Sequence, residues 1–387
     1  MWGPLDPLSR LESSLRQSPL CVHMKKLIFS LTAALTLASL GHAQQFPLDR
    51  LPAEDFEVLP PSARVVGPPG DMRIAQSACQ ARPTADMRRR IVDIAAQEWG
   101  FFGFTVVDQT NIVESESRDR RTRRRGPRLS PQESARVADS IAGYWSITSD
   151  GGWILARQNA IWNGSAGVAA RWRDPWSAAF VSWVMCEGGL GELSQFRRAI
   201  AHHAYIDQAI EARDEDVPQA AFVAYDVGEL PIEPGDLLCS ARRSAYRSIA
   251  DRRENLGDGI RSHCDIVMKL DETNDRILAI GGNVRGAVRL KLLPAVFAPS
   301  EGLAPAVRSV GRGRRAVFAH LKLRAASIEA NAFDNTPTIK TLSERGDALG
   351  PLRQRLEAHS VTSCCQAQNI STSGVATRAS GGSTQPL

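Results

Sequence analysis

The sequence predicts an α+β fold in which helices come first and an antiparallel sheet follows. Helical apolar spacing dominates up to about residue 211, and short apolar segments separated by turn residues follow from residue 236. No internal repeat and no second set of core elements is evident. With 387 residues, 43% hydrophobic and 23% charged, the chain is long enough for one large domain with extensions. We expect that domain to span residues 81–335.

The helical half is predicted from spacing and from start signals. Apolar residues recur every three to four positions in 84–99. Ser130-Pro131-Gln132-Glu133 is a capping box with proline at the first helical position, which predicts a helix to about Tyr144. Further helices are expected to begin near Ser177 and to cover 196–211.

Short apolar segments bounded by turn residues predict the strands of the sheet. They are Asp236–Ala241, Asp265–Leu270, Arg276–Ile280, Val288–Leu292 and Val317–Ala325. Pro234-Gly235 in front of the first segment predicts the turn into it, with Asp236 as its cap.

The N-terminus has the features of a secretory signal. Met24-Lys25-Lys26 is a basic start, Leu27–Leu40 is apolar, and Gly41-His42-Ala43 provides small residues before a cut after Ala43. The apolar stretch is short for a membrane span, so we expect no integral membrane segment in the mature chain. Residues 1–23 lack signal features, and we interpret them as an extension before the true start at Met24, the alternative being a genuine N-terminal arm. The expected location is the periplasm or the cell exterior.

Three further segments have the composition of non-core chain. Residues 44–80 are rich in proline and predict a linker, and residues 345–387 are rich in Ser, Thr, Gly and Gln and predict a disordered tail. Between Arg118 and Arg128 lies an arginine-rich loop without aromatic residues, which favours a solvated insertion over a surface for an anionic polymer.

Charge and cysteine content exclude some function classes. Removal of residues 1–43 lowers the net charge from +5 to +3, too little to support a nucleic-acid partner. The spacing of His, Cys and carboxylate residues matches no zinc site, so no metal and no cofactor is predicted. Cys239 and Cys264 lie in strands that should pair, so they either form a disulfide or remain as two buried thiols.

The most informative stretch is Asp174-Pro175-Trp176-Ser177-Ala178-Ala179-Phe180. It resembles the start of the catalytic helix in the papain-like CHAP and NlpC-type amidases and peptidases, where Pro-Trp-Cys-Ala-Ala-Phe is typical. Ser177 stands at the position of their nucleophilic cysteine. The resemblance covers roughly residues 175–290 and implies a papain-like core, with N-terminal helices packed on a small antiparallel sheet. With its flanking helices the chain also resembles a bacterial family of secreted proteins of unknown function with serine at this position.

Two later motifs supply the expected partners of Ser177. Ser262-His263-Cys264-Asp265-Ile266-Val267 resembles the strand that carries the histidine of those families, so the resemblance implies His263 as general base. Asp265 shares a strand face with His263 and is a supporting residue. Ile280-Gly281-Gly282-Asn283 resembles the segment whose polar side chain orients that histidine, which implies this role for Asn283. An ordinary glycine hairpin with a turn asparagine is the alternative.

Two aromatic or imidazole side chains near these motifs have open roles. His202 lies in the predicted helix 196–211 and either reaches the cleft or packs against the sheet, and we favour packing. Trp176 is a candidate wall of a groove for a glycan or peptide, whereas Trp183 should lie in the core. Cys186, nine residues after Ser177, should face away from it.

The sequence therefore supports two hypotheses about function. In the first, the protein is a secreted hydrolase that cleaves an amide or ester of peptidoglycan through a Ser177–His263 pair. In the second, it is a non-catalytic module that binds a cell-wall peptide or a protein partner in the same cleft. The sequence does not predict an oligomeric state.

Overall fold

The computed structural model describes residues 47–52, 56–80, 85–110, 129–241, 245–297, 306–307 and 316–344, all within one compact unit, Phe46–Leu387. The predicted signal at 24–43, the extension 1–23, the arginine-rich loop and the tail 345–387 lie outside these residues. Within them, no helix combines the length and the apolar character that a membrane crossing requires.

Eight α-helices and ten strands make up the described fold, which is mixed α+β. The helices are α1 (Met87–Phe101), α2 (Pro131–Arg136), α3 (Ala138–Trp145), α4 (Gly151–Trp162), α5 (Ser177–Glu187), α6 (His203–Asp214), α7 (Ile249–Arg253) and α8 (Pro337–Glu344). The strands are β1 (Val65–Val66), β2 (Arg73–Ile74), β3 (Val106–Asp108), β4 (Phe222–Tyr225), β5 (Leu237–Ala241), β6 (Ser262–Asp271), β7 (Arg276–Val284), β8 (Ala287–Val296), β9 (Ala306–Val307) and β10 (Val317–Leu323).

Seven strands form the main sheet in the order β3-β8-β7-β6-β5-β10-β4, and β9 pairs with β8. All these pairs are antiparallel except β3–β8, which is parallel. The sheet is therefore larger than the small antiparallel sheet that the sequence predicts, and it is mixed. The additional strands are short: β3 and β4 have three and four residues, too few to show a clear alternation.

The main hydrophobic core lies between one face of the sheet and the helices. Trp99 of α1, Phe180 and Trp183 of α5, and Ile266 and Ile280 of the sheet are all fully buried in it. Helix α5 is buried on all sides because it packs against α1, α3, β6 and β7 together. This central position places the first residue of α5 beside the strands that carry the predicted histidine motif.

The predicted linker at 44–80 is wrong for its described residues, which pack onto the domain. Arg50 forms an ion pair of 2.6 Å with Glu98 of α1, and the buried Arg64 pairs with Glu187 at the end of α5. Cys79 is joined to Cys186 of α5 by a disulfide. The many prolines make the backbone of this segment irregular. Ion pairs and a disulfide anchor it to the domain, and such contacts leave no hydrophobic periodicity in the sequence.

Candidate active site

Ser177 is the first residue of α5 and lies at the edge of a cavity. The residue before the helix, Trp176, makes no side-chain cap, and Asp174 instead pairs with Arg157 at 2.6 Å. The carboxylate of Asp174 therefore does not cap α5. The first backbone N–H groups of an α-helix lack partners within the helix, and its positive dipole end lies there too, so Ser177 occupies a position that favours developing negative charge.

The hydrogen-bond partner of Ser177 is His202. Ser177 Oγ lies 2.6 Å from His202 Nε2, and the two residues are only 8% and 4% exposed. The sequence predicts His263 as this partner and favours packing for His202, so both assignments need correction. The residue reaches the cleft because it precedes α6, which begins at His203; residues 196–202 are irregular chain where the sequence predicts helix.

The chain in front of His202 is anchored to α5. The buried Ser182 Oγ accepts a hydrogen bond of 3.1 Å from the N–H of Ala199 and donates one of 3.3 Å to the carbonyl of the same residue. Arg198 donates to the carbonyl oxygens of Leu190 and Gly191, just after α5. These contacts hold the turn before His202 against the helix that carries Ser177.

Two donors approach the other ring nitrogen of His202. The backbone N–H of Cys264 donates to Nδ1 at 3.2 Å, and the hydroxyl of Tyr205 is also hydrogen-bonded to Nδ1. Burial, reinforced by the negative charge of Asp265, raises the pKa of Tyr205 well above its ordinary value, so the phenol stays protonated. A backbone N–H can only donate. While that bond is made, Nδ1 is the acceptor, and the proton of a neutral His202 lies on Nε2, towards Ser177.

His263 belongs to a neighbouring buried network. Its Nε2 lies 2.9 Å from Asp265 Oδ1, and Lys291 Nζ of β8 lies 2.7 Å from Asp265 Oδ2. Burial opposes ionisation of Asp265, but the charges of Lys291 and His263 outweigh it and hold the pKa of that carboxyl well below its ordinary value. The rings of His263 and His202 are T-shaped with centroids 5.1 Å apart. His263 and Asp265 thus lie on one face of β6 and contact each other directly.

Gly281 and Gly282 are close-contact positions on β7. A Cβ atom at Gly281 would lie 2.0 Å from Asp265 Oδ1 and 2.9 Å from His263 Nε2, and one at Gly282 would lie 2.6 Å from Phe180 of α5. Glycine is therefore required here so that α5 and the His263–Asp265 pair can both approach the strand.

Asn283 lines the same cavity as Ser177, His202 and His263. Its backbone has φ +54°, and it lies at an irregularity of the β7–β8 pairing just before a hairpin turn at Arg285-Gly286. Asparagine tolerates this left-handed conformation better than most residues. The backbone of Asn283 thus has the conformation that the turn alternative describes, and the residue also lines the cavity that contains Ser177.

Trp176 and Ser177 lie on the walls of two adjoining cavities. The reactive cavity, about 360 Å³, is lined by Ser177, His202, His263 and Asn283 together with Pro175, Ile200, Ala201, His203, Gly259, Ile260, Arg261 and Ser262. The aromatic cavity has a similar volume and is lined by Leu129, Ser134, Val137, Ile141, Ala170, Arg171, Trp172, Trp176, Asn283, Arg285 and Gly286. Trp176 also stacks on Tyr144 at 5.7 Å, and Trp183 is fully buried in the core.

The cysteines near the site are crosslinked. Cys239 and Cys264 form a disulfide between β5 and β6, the bridge that the sequence offers as one of two options. Cys186 is bonded to Cys79, so it has no free thiol that could replace Ser177. Within the described ranges, no group of three or more His, Cys, Asp or Glu side chains is arranged to hold a metal ion.

Comparison with known proteins adds one match. Residues 133–323 match the model of a family described as an uncharacterized protein conserved in bacteria, DUF2272. This region contains Ser177, His202, His263 and Asn283, so the whole candidate site lies inside it. The match supports the predicted similarity to a bacterial family of unknown function. Neither the curated proteins nor the solved structures that were searched gave a match.

Proposed function

We propose that this protein is a hydrolase of amide or ester bonds in which Ser177 is the nucleophile and His202 is its general base. The observation that carries the proposal is the 2.6 Å hydrogen bond between Ser177 Oγ and His202 Nε2 in the wall of the reactive cavity. A serine hydroxyl is a weak nucleophile unless a base within hydrogen-bond reach takes its proton. A helix dipole alone, worth about 1 kcal/mol, does not ionise it.

For His202 to act as base, the proton on its ring must first lie on Nδ1. Tyr205 makes this possible because its oxygen can accept the Nδ1–H bond while its own hydroxyl hydrogen rotates away. The bond from the Cys264 N–H is then lost. We therefore propose two proton arrangements, a resting one with Nε2–H donating to Ser177 and a reactive one with Ser177 O–H donating to Nε2.

In the reactive arrangement, the Ser177 oxygen bonds to the substrate carbonyl carbon as its proton passes to His202 Nε2. The carbonyl electron pair moves to oxygen, and the first N–H groups of α5 donate hydrogen bonds to the resulting oxyanion. Collapse of this adduct breaks the bond to the amine or alcohol, which leaves with the proton from His202. Water then hydrolyses the acyl-serine by the same steps in reverse.

His263 is the alternative general base. Asp265 is held ionised and can only accept, so a neutral His263 carries its proton on Nε2 and its lone pair on Nδ1. The papain-like resemblance implies His263 as the base, with Asn283 as the residue that orients its ring. A papain-like core is part of the proposal, and the order of the motifs and the packing of α5 against β6 and β7 support it.

The proposed location is the periplasm or the cell exterior, and the proposed substrate is peptidoglycan or a related cell-wall peptide. The location rests on the predicted signal at 24–43, and two disulfides among the described residues agree with an oxidising compartment. The substrate rests on the resemblance to CHAP and NlpC-type proteins. No cofactor, metal or nucleic acid has a part in the proposal.

The test is covalent labelling of the full chain with a fluorophosphonate, which reacts with activated serine hydroxyls. We expect one adduct at Ser177, located by mass spectrometry of peptides, and none in Ser177→Ala. His202→Asn should abolish labelling and His263→Asn should leave most of it if His202 is the base. The reverse pattern would transfer that role to His263.

Digestion of purified peptidoglycan, read by mass spectrometry, tests the substrate separately. Cleavage by the parent and not by Ser177→Ala identifies the bond. A protein that labels at Ser177 but leaves peptidoglycan intact is a hydrolase of another substrate. A folded parent that neither labels nor cleaves argues against hydrolysis altogether.

The second candidate function is a non-catalytic binding module. The observation that favours it is the Cys264 N–H bond to His202 Nδ1, which points the ring proton at Ser177 and removes the lone pair that a general base needs. Under this alternative, Ser177→Cys, with its more acidic thiol, gains labelling by iodoacetamide, while the parent stays unlabelled by fluorophosphonate.

A further inference from the structure

The aromatic cavity adjoins the reactive cavity through shared walls. Asn283 lines both cavities, and the chain passes from one wall to the other at Trp176-Ser177. A ligand that occupies the aromatic cavity therefore lies next to the serine. Its volume of about 360 Å³ is within the usual range for small-molecule sites and accommodates one bulky amino-acid residue.

The walls of the aromatic cavity are apolar and aromatic. Leu129, Val137, Ile141, Trp172 and Trp176 contribute to them, and Trp176 is held rigidly by stacking on Tyr144 and Phe102. Such a surface favours an apolar group, with roughly 25 cal/mol gained per Å² of apolar surface removed from water.

Two arginines give the aromatic cavity a positive charge. Arg171 and Arg285 are exposed on its lining, and neither is paired with a carboxylate of the described residues. By contrast, Arg157 of α4 is ion-paired with Asp174. Among the described residues, no acidic side chain lines the cavity.

A third arginine interacts with the charge of Arg285. Arg289 is buried on β8, and burial together with the charge of Arg285 lowers its pKa. An anion near Arg285 would offset this repulsion, and arginine is the side chain best suited to bind a carboxylate with two parallel hydrogen bonds.

We propose that the aromatic cavity binds a residue with an apolar side chain and an adjacent carboxylate, as at the C-terminus of a peptide, and that this residue is the part of the substrate on one side of the bond attacked by Ser177. The apolar group packs against Trp172 and Trp176, and the carboxylate pairs with Arg171 and Arg285. The assignment to substrate rests on the proposed hydrolase function, whereas the binding of the group does not.

The test measures binding in the full chain with Ser177→Ala, so that no turnover is needed. N-acetylleucine and N-acetylphenylalanine are compared with their neutral amides by calorimetry or tryptophan fluorescence. We expect each acid to bind at least about tenfold more tightly than its amide, because a charge-assisted pair replaces a neutral contact. The preference should weaken in high salt because the arginines are exposed.

Arg171→Gln with Arg285→Gln should remove this preference and leave the binding of the amides. Arg247→Gln is the control, because it removes an exposed charge outside both cavities. Equal binding of acid and amide, a preference that survives the double substitution, or no binding of any acid would each overturn the proposal. Labelling of Ser177 by fluorophosphonate is independent of these results, so a failure of this site and a failure of the hydrolase function are distinguishable.

Discussion

The backbone N–H of Cys264 donates a 3.2 Å hydrogen bond to Nδ1 of His202, the ring whose Nε2 contacts Ser177. In a serine–histidine–carboxylate triad the corresponding nitrogen is a donor and its partner an acceptor. The N–H of Cys264 on β6 thus favours the tautomer with the ring proton on Nε2, which cannot accept the proton of Ser177. Tyr205 is the described neighbour whose oxygen can accept a hydrogen bond from Nδ1–H and so stabilise the other tautomer.

Tyr205→Phe should slow the labelling of Ser177 by a large factor without unfolding the protein. The substitution removes the oxygen that can accept the Nδ1–H bond, and a wrongly placed imidazole proton costs up to about 10⁴-fold in a serine triad. The measurement is the rate of fluorophosphonate labelling, with circular dichroism to check folding. Tyr225→Phe on β4, outside the site, is the control. Labelling at the parental rate would show that Tyr205 does not set the proton position.

Gly281→Ala should separate His263 from Asp265 and destabilise the domain. The new methyl group would meet Asp265 Oδ1 at 2.0 Å, and overpacking of this kind costs about 1–3 kcal/mol. The free energy of unfolding in urea measures it. Gly152→Ala on the exposed side of α4 is the matched control, since nothing lies within 4 Å of its Cβ position, and it should stabilise by about 0.5–1 kcal/mol. Similar free energies of unfolding for the two variants would contradict the close approach of Asp265 to Gly281.

Asp93→Asn should stabilise the protein at neutral pH and not near pH 4. Burial raises the pKa of Asp93 to about 7, against the opposing charges of Arg89 and Lys340, and its Oδ1 is buried without a hydrogen-bond partner in the described structure. Between about pH 4 and 7 the carboxyl is ionised in the unfolded chain and protonated in the folded one, so its contribution to stability is lost as pH rises through 7.

Asparagine does not ionise. The free energy of unfolding of Asp93→Asn should therefore exceed that of the parent by nearly zero at pH 4 and by on the order of 2–4 kcal/mol at pH 8. Urea unfolding across this range measures it. Asp258→Asn at an exposed position is the control. A constant difference between Asp93→Asn and the parent at every pH would rule out the raised pKa.

The two disulfides should differ in their contribution to stability. Cys79–Cys186 closes a separation of 107 residues and Cys239–Cys264 one of 25. In the chain-entropy model these crosslinks stabilise the folded state by about 4.7 and about 3.5 kcal/mol, respectively. Double alanine variants of each pair, unfolded in urea, test the order. Larger destabilisation from loss of the shorter loop would show that local packing at β5 and β6 outweighs chain entropy.

The sequence predicts the sheet well where strands are long. All five predicted segments are strands, because the apolar runs of β5 to β8 and β10 lie between clear turn residues. It fails at Phe222–Tyr225 and Val106–Asp108, whose three or four residues carry too little pattern. The Cys79–Cys186 bridge was also missed, because Cys79 lies in irregular chain whose path depends on tertiary contacts.

The site was predicted in part. Ser177, His263 and Asn283 do line one cavity, because motif order along the chain reflects the packing of α5 on β6 and β7. The contact between Ser177 and His202 was not foreseen, because it depends on where α6 begins. Ser182 was the available signal, because a polar residue in a mostly apolar helix indicates a buried hydrogen bond. Its hydroxyl is bonded to the backbone of Ala199, but the sequence does not show which residue the partner is.

The bridge from Cys79 to the end of α5 forms only where thiols are oxidised, so the redox state of the compartment determines when the helix that carries Ser177 is secured. In a reducing compartment the newly made chain lacks this crosslink and the one beside His202, so the domain that presents Ser177 is less stable there. At the proposed location outside the cytoplasm, both bonds form. Under that proposal, maturation of the site is coupled to export.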